Sequence, residues 1–460
     1  MSASSPPENH GAERAESPGG ARRVMILCYF FPPLAGGGVH RVLSFVRELP
    51  RFGWSCTVVC AGRRDYWVTD ETLEARVPAG TEVIRVEGGS ALAAWLRVRG
   101  QDRGRRSGAT FSRLRAISDW WLLPDSYAGW ASRAARVARR RMERGDVDVL
   151  LSSSPPDSAH LAAWRARRGL AVPWVADFRD PWVGLHLRKP PTSWHRARQQ
   201  RLEARVLDSA DRVLAASRTH AEQLMRRAPA PGAAGSRAER VVHLPNGFEP
   251  APDPAGEARA VAGTPYFRLV FTGTLSQMPE TEVLLEALHE LLARRPELRR
   301  RVRARLAGPY DRGYEDRAAA LGLTGIVEFS GSLSHDAARA LQAQADLLLL
   351  WKPPDMPTMV PGKLYEYLAS GRPVVAMLPA GDEAAELAER GGAVRLDPGD
   401  RVALAGEIER HVDRWLAGGR EPGRVPDWLT SHTRGALAGR LAGVLDTLVA
   451  ARATPSKADA

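Results

Sequence analysis

Short apolar runs rich in Val, Ile and Leu alternate along the chain with helix-length segments whose apolar residues return every three or four positions. That alternation is the pattern of parallel βαβ units, in which each crossover lays a helix on a sheet and buries the strands on both faces. In the first half the runs predict strands over Val24–Phe30, Cys56–Cys60, Val83–Val86, Val147–Leu151, Trp174–Ala176 and Arg212–Ala215. The second half repeats the rhythm over Leu269–Thr272, Val302–Leu306, Ile326–Phe329, Leu347–Leu350 and Val374–Met377. An Ala-Asp pair leads into a strand in each half, at Ala210-Asp211 and Ala345-Asp346, so two similar parallel sheets are expected.

A Pro-, Ala- and Gly-rich stretch, Ala228–Gly235, begins the break between the halves. Val241–His243, Pro245-Asn246-Gly247 and a loose run over Pro250–Gly263 continue it, which places a first domain at 22–240 and a second at 241–420. Leu437, Leu441, Leu445 and Leu448 recur at helical spacing and predict a terminal helix within 421–452. The ends, 1–21 and 453–460, are polar and rich in small residues, and are expected to be disordered tails.

Composition removes several function classes. No run approaches the ~18 apolar residues of a membrane-spanning helix, and the first twenty residues lack the apolar core of a secretion signal. Three cysteines, Cys28, Cys56 and Cys60, form no metal-ligand spacing with histidines, so a reducing cytoplasm is expected. The formal charge of +12 comes from 61 Arg and four Lys. Within Ala91–Arg144, thirteen Arg stand against four acids beside Trp95, Trp120, Trp121 and Trp130, a segment suited to an anionic membrane surface or a phosphorylated acceptor, or simply to a solvated helical face. No helix-turn-helix, zinc finger or basic-aromatic strand pattern supports nucleic-acid binding.

Candidate chemistry gathers where apolar strands end, which is where ligands bind in open parallel sheets. Gly36, Gly37 and Gly38 follow the first strand and open a helix, so their amides can approach a phosphate or hydroxyl. Ser152-Ser153-Ser154 with Asp157 and His160 follows another strand, with Ser153, Ser154 and Asp157 as candidate acceptor ligands and His160 as a candidate catalytic group. Asp177, Arg179 and Asp180 end a third strand, and charges there need partners or a ligand. In the second half Gly273 and Thr274 repeat the strand-then-glycine arrangement. Val360, Pro361, Gly362, Lys363 and Leu364 then open a short helix on which Glu366 lies three residues beyond Lys363. A cation at a helix start suits a diphosphate, a carboxylate one turn on suits a ribose diol, and Lys352 is a second candidate cation nearby. The one Asp-x-Asp, Asp146-Val147-Asp148, precedes a strand, so no metal is expected.

These residues resemble glycosyltransferase family 4, in order from about Arg22 to about Asp400, through Cys28–Gly38, Ser152–His160, Asp177–Trp182, Pro245-Asn246-Gly247, Gly273 and above all Gly362–Pro373. The Asp-Phe-Arg-Asp-Pro-Trp element is similar to that of a bacterial subgroup of glycoconjugate and polysaccharide assembly. The resemblance implies a GT-B fold: two Rossmann-like domains facing across a cleft, with the terminal helix returning to the first. It implies a nucleotide-sugar donor on the second domain, an acceptor, free or lipid-linked, on the first, and transfer with retained configuration and without metal. Glu366 would hold the ribose, Lys363 the leaving diphosphate, and Gly36–Gly38 would face both substrates. The family often has Glu where Thr358 stands, Arg at Thr274, Lys at Glu280 and an acceptor-side His at Ser153. Lys352, Lys363 or Arg179 would supply the displaced charge and His160 the displaced imidazole. A nucleotide-sugar epimerase of the same fold and a catalytically silent binding protein are the alternatives.

Overall fold

The computed structural model describes residues 21–34, 36–66, 69–88, 122–184, 190–227, 240–250, 264–353, 356–419 and 425–453. The two expected tails, much of Ala91–Arg144 and the loose stretches on either side of 240–250 lie largely outside the described residues.

Two parallel sheets form the frame. The first has seven strands in the order β3-β2-β1-β4-β5-β6-β7: Arg22–Leu27, Trp54–Ala61 and Glu82–Val86 are β1 to β3, Val149–Ser154, Trp174–Phe178 and Arg212–Ala215 are β4 to β6, and Val241–His243 is β7. The second has six in the order β10-β9-β8-β11-β12-β13: Phe267–Thr272, Val302–Ala307 and Val327–Gly331 are β8 to β10, and Leu347–Trp351, Val374–Met377 and Val394–Leu396 are β11 to β13. Each is the doubly wound order of a Rossmann-like domain, whose strand order reverses beside its first strand and leaves a crevice at the strand ends.

All eleven expected strands are present, and two short edge strands add to them. Val213↔Val241 through Ala215↔His243 pair in parallel, so β7 belongs to the first sheet and the division falls after His243 instead of at 240/241. Three residues beside turn-forming ones carry too little period to be told from a linker. β13, between Gly391-Gly392 and Asp397-Pro398, escaped the sequence pattern for the same reason.

Alternation along β1 shows how each sheet is covered. Val24 and Ile26 face one helix layer, and Met25 and Leu27 face the other. On the first side lie α1 (Gly37–Glu48) and the terminal helix Arg434–Ala453, whose Leu437, Leu441 and Leu445 pack with Val42, Phe45 and Trp54. The Trp54 indole N–H donates to Asp446 at 2.8 Å and fastens that helix to the first domain. Its path there runs beside the other interdomain crossing, since Phe248 N–H donates to the His432 carbonyl at 3.2 Å and Arg434 N–H to the Phe248 carbonyl at 2.9 Å. No helix among the described residues is long and apolar enough to cross a membrane.

Candidate functional site

A cleft of about 820 Å³ lies between the two domains at the carboxyl ends of their strands. From the first domain Gly36, Gly37, Gly38, Arg179 and Asp180 line it, and from the second Gly273, Thr274, Val360, Gly362, Lys363 and Glu366. Pockets of roughly 300 to 1,000 Å³ suit small-molecule ligands.

Two helices point their starts at this space: α1, entered through Gly36, and the helix Gly362–Ala369, entered through Pro361. Neither has a side-chain cap, so first-turn amides remain for a ligand or water. Gly36 has φ 115°, which favours glycine. Gly273 has φ 141°, and a Cβ there would stand 2.9 Å from Lys363 Nζ. Glycine at 273 thus lets the ammonium sit against the backbone of the cleft wall. Lys363 has no hydrogen bond among the described residues, and burial pushes it down to about 7 while Glu366 opposes that shift. The other strong cations of the cleft are engaged. Arg179 donates to the carbonyls of Ser154 and Pro155, each at 2.7 Å, and of Gly38, which clamps the glycine loop to the end of β4.

Arg41 and Arg434 complete that set, and sequence reasoning missed both. Arg41, buried on α1, meets Asp177 at 2.8 Å and also donates to the carbonyls of Leu244 and Pro245, each at 2.9 Å. One guanidinium therefore fixes β5 to the start of the interdomain crossing, and nothing marked it among 61 arginines. Arg434, on the terminal helix, pairs with Glu249 at 3.1 Å, as does Arg47 at 2.5 Å. His40 and His335, one from each domain, bring their rings to 4.4 Å across the cleft. Burial is the main cause holding both below the ordinary histidine value. A further interdomain contact is a shared cap: Glu383 accepts from Arg218 N–H and Thr219 N–H, both at 2.8 Å, at the start of the helix Arg218–Arg227, while Ser217 Oγ donates to the Thr358 carbonyl at 2.6 Å.

Several expected residues lie elsewhere. His160 is fully buried beneath the first sheet's helices, its Nδ1 2.8 Å from Ser152 Oγ and its ring 4.3 Å from that of Phe178. Burial pushes it down to about 3, so it is a neutral core group and cannot serve as a catalytic base in the cleft. Asp177 is also fully buried, committed to Arg41 and to the Ser153 hydroxyl at 2.8 Å, so it is a structural anchor and does not line the cleft. Ser153, Ser154 and Asp157 are buried behind the wall as well. Lys352 is turned inward, bonded to Asp382 and to the Met359 carbonyl at 3.0 Å, where it holds the loop before Gly362. Leu364 packs in the core, and Pro361 is buried without lining the space. Among the described residues no cluster of three or more His, Cys, Asp or Glu could hold a metal ion.

The geometry agrees with what the chain resembles. Residues 36–247 match the family described as glycosyl transferase 4-like domain, and residues 266–414 match glycosyl transferases group 1. A D-inositol 3-phosphate glycosyltransferase of Streptomyces coelicolor is 31% identical over 146 residues, which is 28% of this chain and 32% of that protein, so the chain spans about a third of the relative's length. Sucrose-phosphate synthase of Thermosynechococcus elongatus has a similar fold, with a TM-score of 0.60 at 17% identity over 94% of this chain and 100% of that one. HepE of Anabaena, solved in complex with UDP-glucose, has a TM-score of 0.53 at 17% identity over 94% of this chain and 98% of that one. With one glycosyltransferase domain matched on each side of the cleft of a two-sheet α/β fold, the chain belongs to the GT-B glycosyltransferases.

Proposed function

We propose that the chain moves a hexosyl or N-acetylhexosaminyl group from a nucleoside-diphosphate sugar to an acceptor hydroxyl in glycoconjugate, polysaccharide or glycosylated natural-product assembly, with retained configuration and without a metal. The observation that carries this reading is Lys363, a cation on the cleft wall with no hydrogen bond among the described residues, beside Gly273 and at the start of an uncapped helix. As the sugar–phosphate bond breaks, charge grows on the departing diphosphate, and a fixed ammonium with helix-start amides stabilises it there. Gly36–Gly38 approach the same group from the opposite wall, and Glu366, one turn beyond Lys363, accepts from the ribose diol. Asp180 is an acidic group on the acceptor wall, next to the Arg179 clamp, and Asp70 is a second. The UDP-glucose complex of a protein of this fold supports a nucleotide-sugar donor.

Calorimetry with nucleoside diphosphates tests the donor assignment. Glu366→Ala is expected to weaken binding by roughly ten- to a hundredfold, the worth of one or two charge-assisted hydrogen bonds. Unchanged affinity removes Glu366 from the site. Turnover in EDTA is expected to equal that in buffer, because an ammonium and amides take the place of a divalent ion. Loss of turnover in EDTA with rescue by magnesium overturns that part.

A further inference from the structure

Lys363 does not hang free in the cleft. Its Nζ lies 3.7 Å from the centroid of the Phe271 ring, and Phe271 lies flat on Trp351, with centroids 3.8 Å apart and planes at 11°. Both rings are buried behind the wall, whereas Lys363 and Gly273 line the cleft. The ammonium thus has an aromatic floor beneath it and glycine, with no side chain, beside it. Its three N–H donors meet no acceptor among the described residues. Burial without acceptors disfavours the charged form, and the negative face of an aromatic ring is a partial compensation. Phe271 ends in the same strand that carries Thr272 and leads into Gly273, so ring and open backbone reach the lysine from one short segment.

We propose that Phe271, braced by Trp351, is a positioning residue that seats the Lys363 amine in the cleft, and that this seat makes diphosphate binding draw one proton from solvent onto that amine. The proposal rests on the reading of the cleft as a diphosphate site. In balance, a neutral amine, one solvent proton and a bound diphosphate become an ammonium hydrogen-bonded to the diphosphate, with no other bond made or broken. Near neutral pH the empty site holds the amine only partly protonated, and the ligand's oxygens supply the acceptors and charge that burial withheld. Glu366 is the charged neighbour that most favours the ammonium. Phe271 and Trp351 touch no substrate in this arrangement and act only through Lys363.

The test is titration calorimetry of the full chain with UDP, GDP and ADP at pH 8, above the terminal phosphate's own titration near pH ~6, in buffers of different ionisation enthalpy. Uptake close to one proton per bound nucleotide is expected for the wild type, and none for Lys363→Arg, whose guanidinium is already charged. Phe271→Leu is expected to weaken binding about 5- to 30-fold. At the pH where wild-type uptake is half complete, the same variant should take up more, because the empty amine has lost its floor. Phe271→Tyr keeps the ring face and should stay within about threefold of wild type. Uptake counted per bound nucleotide does not depend on the folded fraction, so a merely structural role for Phe271 would leave it unmoved. If no nucleotide binds, the diphosphate reading itself falls. If nucleotides bind without uptake, or Phe271→Leu changes neither affinity nor uptake, the diphosphate reading stands and the seat is wrong.

Discussion

Lys363→Met lowers kcat by roughly 10²- to 10³-fold, the usual loss when one preorganised group facing a developing anion is removed. The side chains are close in length, so the cleft keeps its shape while the charge goes. Ground-state binding of the donor suffers less than turnover, because the diphosphate carries more charge as it leaves than while still esterified to the sugar. Steady-state kinetics should therefore show the loss mainly in kcat, and an equal rise in KM with unchanged kcat would assign Lys363 to binding alone. The same lysine gives the empty protein a pH signature. Its value of about 7 lies below the ordinary 10.5, so between those limits the unfolded chain holds a proton that the native chain lacks, and stability rises with pH across that window. Below pH ~7 both states are protonated and this contribution is flat. Thermal melts of Lys363→Met should lose that part of the slope.

Much of this arrangement was legible in the chain, and what was hidden has physical causes. Parallel strands buried on both faces read as uninterrupted apolar runs, so β1 to β6 and β8 to β12 stand out, while β7 and β13, three residues each, do not. The glycine loop and Gly362–Glu366 were found because helix starts after strands have few other uses for glycine and lysine. The strand-end rule is blind to depth, however. Ser152-Ser153-Ser154 ends a strand as a ligand-binding run would, yet all three serines are buried, and the Ser152 and Ser153 hydroxyls bond inward, with His160 following Ser152 into the core. Asp177 lies within β5 and gives its oxygens to Arg41 and Ser153, whereas Arg179, just past the strand, reaches the cleft. Lys352 is a second candidate cation beside Lys363 in the sequence, and only the fold shows that Asp382 takes it. Arg41, Arg434 and the His40–His335 contact depend on segments far apart in the chain meeting in space, which no local pattern encodes.

The buried Arg41–Asp177 pair should be the most costly polar contact in the first domain to break, whichever half is removed. Asp177→Asn leaves a buried guanidinium with carbonyl partners alone, so a loss of ~3–5 kcal/mol is expected. Arg41→Met leaves a lone carboxylate, fully buried and held by the Ser153 hydroxyl. A buried charge without its partner is again the cost, so a loss of similar size is expected. Denaturant unfolding of each variant against the wild type measures it. A loss below ~1 kcal/mol in both variants would mean that the backbone holds β5 and the 244–245 crossing in place without the pair.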